Sequence, residues 1–333
     1  MSVIYLLLGI VLLVIGIVDF IWTTLWVDGG AGPVTKRLSA LLWRAMKKLG
    51  RANSRLFSWS GPLTLMLALS TWIFFLWAGW TLVFAGNPSS ITDTQDNNPI
   101  SWGERIYFAG YLIFTLGNGD YSPNEGIWQF AATLATATGL LFITLGVTYL
   151  LSVLGAVSQK HALAESIHGL GKNGVDIVLN SWNGRNFHDI DLLLNSFANQ
   201  LSAITSQHNA YPVLHYYHAD KAKETLPVAV TALDEALTIY LYAIPEELLP
   251  NGALLKETRA TVHSYLETLR SAYIEPSSNN PPLIDLYYLR EAGLRTVSDD
   301  KFLDSLSDLQ ERRRLLLAVL EENNRQWPEK SDK

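Results

Sequence analysis

The chain contains no cysteine. That excludes disulfide staples and thiolate metal sites, and it fits a reducing compartment. Charge is scarce as well. Only 17% of the 333 residues are Asp, Glu, Lys or Arg, where soluble domains carry about 25%. Acids are thinnest in the first half: before Lys160 there are seven, Asp19, Asp28, Asp93, Asp96, Glu104, Asp120 and Glu125. The chain has a net charge of −6, and its charged second half, though it holds the short Arg312–Arg314 run, shows no basic face for nucleic acid. Catalytic patterns are missing too: there is no nucleophile elbow, metalloprotease helix, phosphate loop or calcium-loop spacing. The glycine-rich run from His168 to Gly174 follows no strand and reads as a flexible link. No enzyme activity and no cofactor are expected.

What is present is apolar sequence in long runs. Three segments, Ser2 to Trp26, Pro62 to Phe84 and Gly126 to about Val157, reach the roughly 20 residues a bilayer crossing needs. The first has no basic n-region and no small-residue cleavage site, so it reads as a retained helix rather than a signal peptide. Asp19 lies within it, and the expectation is a place near the inner headgroups rather than a partner on another helix. Lys36, Arg37, Arg44, Lys47, Lys48, Arg51 and Arg55 form a basic stretch with no acid among them. Positive loops stay in the cytoplasm, so the N-terminus is expected outside and everything after the third span inside. Leu38, Leu41, Leu42, Met46 and Leu49 are spaced for an amphipathic helix on the inner surface, although a plain topology-setting loop reads equally well. Trp72, Trp77 and Trp80 suit an interfacial belt or a packing surface. The expected location is a prokaryotic inner membrane.

Between the second and third spans, Ile106 to Phe114 is apolar but too short to cross, and glycines, an acid and a proline follow. That is the pattern of a re-entrant loop, whose irregular backbone survives at membrane depth only inside protein or beside water. Thr115-Leu116-Gly117-Asn118-Gly119-Asp120 resembles the selectivity filter of the potassium-channel superfamily, usually Thr-Val-Gly-Tyr-Gly-Asp. The resemblance runs from about Pro62 to Val157. It implies backbone carbonyls replacing an ion's hydration shell, glycines supplying unusual dihedrals, a threonine hydroxyl at the inner end and Asp120 at the outer mouth. It also implies permeant K+, four identical subunits around the axis, packing of Tyr107, Phe108 and Tyr111 behind the filter, and an inner-helix hinge at Gly139. Phe142, Ile143 and Gly146 are further candidates for the bend or the cavity. Asn118 departs from the pattern, since an aromatic residue usually stiffens the filter from behind. Phe114 stands where a second threonine is common, and Leu116 replaces valine.

The remaining sequence has helical periodicity, with candidate helices at Gly174–Ser181, Phe187–Ser206, Lys221–Ala243, Leu254–Tyr273, Pro282–Gly293 and Ser298–Asn324. Pro227 kinks the third or marks its start; Asn183 or Asn186 and Ser298 are plausible caps. Leu303, Leu306, Leu309, Leu316 and Leu320 form a stripe. His215 and His218, with His208 and Asp220 nearby, are weak candidates for zinc or pH sensing beside the commoner solvated or packing roles. No span carries arginine at every third position, which argues against a voltage sensor.

The sequence therefore describes an all-α membrane protein: three transmembrane helices, a re-entrant pore helix and filter, and an α-helical cytoplasmic domain. The expected divisions are 1–30, an N-terminal span; 31–61, a basic linker; 62–157, the pore domain; and 158–333, the cytoplasmic domain. The expected function is a homotetrameric potassium channel embedded in lipid, gated or assembled by the cytoplasmic helices in answer to a ligand the sequence does not name. The alternatives are a weakly selective cation channel and a non-conducting membrane sensor or scaffold.

Overall fold

The computed structural model describes residues 2–27, 30–50, 58–95, 98–219, 221–272 and 274–328. Asp28, Arg51, Arg55, Asp96, Asp220 and Tyr273, and the side chains of Lys47, Lys48 and Leu49, lie outside the described part. The chain runs α1 (Ser2–Leu25), α2 (Pro33–Gly50), α3 (Ser60–Ala85), β1 (Ile91–Asp93), α4 (Trp102–Ile113), β2 (Tyr121–Pro123) and α5 (Ile127–Leu170). It continues as α6 (Gly174–Asn180), α7 (Asp191–Ala210), α8 (Leu226–Ala243), α9 (Gly252–Ala272), α10 (Tyr287–Glu291), α11 (Asp299–Asp308) and α12 (Gln310–Glu322). Two compact units result: residues 1–154 with 210–216, and residues 155–209 with 217–333.

Among the described residues α1, α3, α5 and α8 are long and apolar enough to cross a membrane. Burial separates them. Of the apolar window of α8, 78% is buried inside the protein, against 22% in α1 and α5 and 44% in α3. A helix that apolar and that covered forms the core of its unit, and α8 also carries Asp234 and Glu235.

In the first unit α1 and α3 pair antiparallel. A Cβ at Gly9 would lie 2.7 Å from the Gly79 carbonyl, and one at Gly79 equally close to Leu13. The two backbones touch where small residues meet, the usual device where lipid leaves no hydrophobic drive between helices.

Asp19 corrects the sequence reading. It is fully buried and has partners on two other helices. Its carboxylate accepts from the Val34 and Thr35 backbone N–H groups at 2.7 and 3.1 Å, from Thr35 Oγ1 at 2.5 Å, and from Trp72 Nε1 at 2.9 Å. An acid of α1 thus caps the start of α2, whose first N–H groups have no partner within the helix, and ties it to α3. Of the two readings of the basic stretch, the helix holds over its described part, as far as Gly50. Thr35, Ser39 and Met46 are buried and Lys36, Arg37, Leu41 and Arg44 exposed, so Leu41 does not belong to the inward face.

The segment Pro212–Tyr216 belongs to this unit: the Tyr216 carbonyl accepts from Ser60 Oγ at 2.7 Å, and the Tyr216 ring lies against Trp43. Tyr211, just before it, meets Tyr149 of α5 edge-on.

The second unit is built around α8. Pro227 stands in its first turn, so the proline marks the start of this helix rather than a kink. Asp234 lies between two guanidinium groups: Arg312 Nε and Nη2 reach Asp234 Oδ1 at 3.1 and 2.5 Å, and Arg259 Nη1 reaches it at 2.8 Å.

Several helix boundaries change. The run from His168 to Gly174 is no flexible link: α5 continues to Leu170, and after a short turn the Asn173 side chain accepts from Asp176 N at 2.8 Å to start α6. Phe187–Ile190 is a cap and a single 3-10 turn ahead of α7, reached through a turn in which the Asn183 side chain accepts from Arg185 N and Asn186 N. Pro282–Gly293 reduces to the short α10, because its prolines hold the first half extended. The long last helix breaks at Leu309 (φ −94°, ψ 5°) into α11 and α12, so the leucine stripe runs over two helices. Ser298 stands at the N-cap of α11 without a capping bond from its side chain.

Candidate ion-conducting site

The site grows from α4, twelve residues long and so about 18 Å, too short to cross. A capping box starts it: Ser101 Oγ accepts from Glu104 N at 3.4 Å while Glu104 Oε2 accepts from Ser101 N at 2.5 Å. Arg105, buried, then fastens this end to the C-terminus of α3. Its Nη1 donates to the Phe84 carbonyl at 2.8 Å and to Ser90 Oγ at 3.3 Å, placing a cation where helix carbonyls lack partners.

The three tryptophans of α3 form a packing surface with polar ends. Trp72 reaches Asp19, Trp77 Nε1 donates to the Ile106 carbonyl of α4 at 2.8 Å, and Trp80 Nε1 donates to Thr138 Oγ1 of α5 at 3.0 Å. Behind α4, Phe108 is fully buried against Phe84 and Tyr111. On the other side α5 approaches so closely that a Cβ at Gly139 would lie 2.4 Å from the Ile113 carbonyl. α5 is helical straight through this point. Phe142, one turn on, stacks on Phe20 of α1 at 4.0 Å, so its ring is turned into packing and not to a cavity.

The loop after α4 has an alternating backbone. Thr115, Gly117 and Gly119 have φ of 54°, 65° and 81°, while Leu116 and Asn118 between them are not left-handed. Alternation of hand from residue to residue turns successive carbonyls toward one side, and glycine reaches these angles without steric conflict. Among the hydrogen bonds of the described residues, none is accepted by the carbonyls of Thr115, Leu116, Gly117 or Asn118. The next carbonyls are used: Gly119 and Asp120 accept from Thr94 Oγ1 at 2.9 and 2.8 Å, and Asp120 also from Thr94 N. The β1–β2 ribbon, pairing Ile91 with Pro123 and Asp93 with Tyr121, holds Thr94 there. Strands of three residues each leave no periodicity to read, so this ribbon emerges only in the structure.

Asn118, the departure from the usual pattern, has a partner. Its Nδ2 donates to the Tyr107 hydroxyl, which donates to Asp120 Oδ2 at 3.2 Å. Tyr111 donates to the Tyr121 carbonyl. The predicted packing of Tyr107 and Tyr111 behind the loop is therefore joined by a polar chain, Asn118 to Tyr107 to Asp120. Outside it lies a recess of about 400 Å3 whose lining includes Asp93, Glu104 and Asp120. Three carboxylates around one recess concentrate cations at its mouth.

Among the described residues no group of three or more His, Cys, Asp or Glu could hold a metal ion. His215 belongs to the first unit, beside Trp43; His218 belongs to the second, its Nδ1 paired with Asn323 Oδ1 at 2.8 Å.

Over 324 residues the chain is 46% identical to the uncharacterized membrane protein YdjJ of Bacillus subtilis (strain 168), covering 97% of this chain and 95% of that protein. Residues 63–156 match the family described as Ion channel. The chain belongs to the ion-channel family. The matched two-transmembrane, pore-loop module comprises α3, α4, the loop and α5 as far as Ala156, which bears out the resemblance read over Pro62 to Val157. α1, α2 and nearly all of the second unit lie outside the match. No solved structure matches the chain.

Proposed function

We propose that four copies of this chain surround a potassium-selective pore, with Thr115, Leu116, Gly117 and Asn118 offering their carbonyls to the ion. The observation that carries this reading is the alternating backbone hand at Thr115, Gly117 and Gly119 beside four carbonyls without partners. Residues 115–118 are exposed in the single chain; gathered around an axis, such a row of unpaired carbonyls suits a dehydrated cation. One loop cannot enclose an axis, so fourfold assembly completes the ring.

Asn118 in place of an aromatic residue would loosen a filter supported by packing alone. The Asn118–Tyr107–Asp120 chain supports selectivity by another means, polar bonds from loop to pore helix. Gly139 serves first as a contact surface for the end of α4, and any bending there begins from that contact. The positive charge of α2 supports a cytoplasmic location for that end of the spans and an outer location for the recess.

The test is flux and reversal potential in liposomes holding the purified protein, under potassium against sodium gradients. A potassium-selective current lost in Gly117→Ala supports the proposal, since a Cβ at φ 65° is strained. Equal potassium and sodium permeability would replace it with a weakly selective cation channel. No flux from an intact tetramer at any condition would turn the reading toward a non-conducting sensor.

A further inference from the structure

Glu235 is a buried acid in the middle of α8, the central helix of the second unit. Four parts of the unit meet on it. From α6 comes the Gly174 backbone N–H, and Gly174 approaches so closely that a Cβ there would lie 2.4 Å from Glu235 Cβ. From the C-terminal segment, Trp327 Nε1 donates to Glu235 Oε1 at 3.0 Å. From α12, Arg313 Nη2 lies 3.5 Å from the same oxygen. From the extended segment before α10, Pro282 to Asp285 line a half-open cavity of about 160 Å3 that reaches Glu235 and Trp327.

Arg313 is a divided partner. A charge-assisted bond is usually about 2.7–2.9 Å, so 3.5 Å is long. The same Nη2 also donates to the Pro282 carbonyl, and the guanidinium carbon lies 5.4 Å from the Trp327 ring centre. Arg313 therefore keeps two supports whether or not Glu235 is charged. The other charges nearby are committed elsewhere. Asp234 is held by Arg259 and Arg312, and Arg325 by the Ala219 carbonyl. Asp176 accepts from Asn173 Nδ2, and Asp285 accepts from Tyr287 N on the cavity wall. Burial then dominates: it pushes the Glu235 carboxyl up to about 7, against the pull of Arg313 and the Trp327 indole. Arg313 is shifted down by the same desolvation.

We propose that Glu235 works a proton-dependent latch: uncharged, it stays buried beneath Trp327 and the start of α6; ionised, its need for water outweighs the bonds from Trp327, Gly174 and Arg313, and water entering through the cavity lets them part. Because α6 follows α5 directly in sequence, opening of the latch makes conduction depend on the pH at this unit, a consequence that rests on the channel reading. If the carboxyl returns to its ordinary value of 4.5 when hydrated, raising the pH from 6 to 8 favours the open form by about tenfold.

The absence of cysteine allows a clean test. A nitroxide on Gln326→Cys, exposed next to Trp327, reports the segment's mobility in the full chain. The mobile-to-immobile ratio should rise about tenfold between pH 6 and 8 and stay level in the Glu235→Gln background. Trp327→Phe removes one of the bonds that hold the closed form, so the mobile fraction should rise at every pH, most where Glu235 is ionised. Proteoliposome flux is followed over the same range. A spectrum indifferent to pH, or one responding equally with Glu235→Gln, overturns the latch. A latch transition with pH-independent flux overturns its control of conduction. A latch transition in a protein that never conducts overturns the channel reading and leaves the latch standing.

Discussion

Tyr107 bonds on both sides, accepting from Asn118 and donating to Asp120. Tyr107→Phe keeps the ring and removes both bonds. With a net value of about 1 kcal/mol per hydrogen bond, losing both bonds should lower the potassium-to-sodium permeability ratio by up to about thirtyfold while flux persists. Bi-ionic reversal potentials measure that directly. Asp19 makes a second residue-scale case. Asp19→Ala leaves the Trp72 indole N–H and two amides of α2 with no acceptor in a buried place. It should cost about 3 kcal/mol, read as lower thermal stability in detergent, with Asp19→Asn costing less because one acceptor oxygen remains. The loop at 115–120 was legible because its chemistry is local, carried by glycines two apart. The partners of Asp19 were not, because Trp72 lies 53 residues away and nothing near an apolar aspartate tells which indole will reach it.

Among the elements, α4 and α5 are held together by the absence of a side chain. Gly139→Ala would put a methyl 2.4 Å from the Ile113 carbonyl and push α5 off the end of α4. Gly146→Ala meets only the Leu69 side chain at 3.6 Å, an ordinary contact. The first should lower assembled-protein stability by a few kcal/mol, as overpacking does, and the second should change it by less than about 1 kcal/mol. Thermal unfolding of the two variants separates contact from hinge, since a flexibility requirement would affect both. The spans were readable because apolar runs of that length have few other uses. Helix ends in the second unit were less so. A leucine stripe continues across Leu309, so periodicity alone hides the break there. The prolines before α10 did carry the information that the chain is extended.

For the whole molecule, Glu235 links stability to pH. Its folded value near 7 is raised above the ordinary 4.5 by burial. The stabilisation is present in full below 4.5 and is lost as the pH rises through about 7, amounting to about 3 kcal/mol. Unfolding of the second unit, followed by circular dichroism, should therefore become easier from pH 5 to pH 8, and Glu235→Gln should remove most of that dependence. The sequence showed this unit as helical and charged but gave no hint of which acid would be enclosed. Asp234 and Glu235 are neighbours on α8, and only the tertiary packing separates an acid gripped by two arginines from one facing a shared arginine and an indole.

The capping of α2 by Asp19 also bears on how the protein is made. α1 leaves the ribosome carrying a carboxylate that would cost about 3 kcal/mol alone at mid-membrane. Its first acceptable donors, on Val34 and Thr35, follow 15 and 16 residues later, and the indole of Trp72 only with α3. Because Asp19 gains its donors only as α2 and α3 form, insertion of α1 should be more favourable together with α3 than alone.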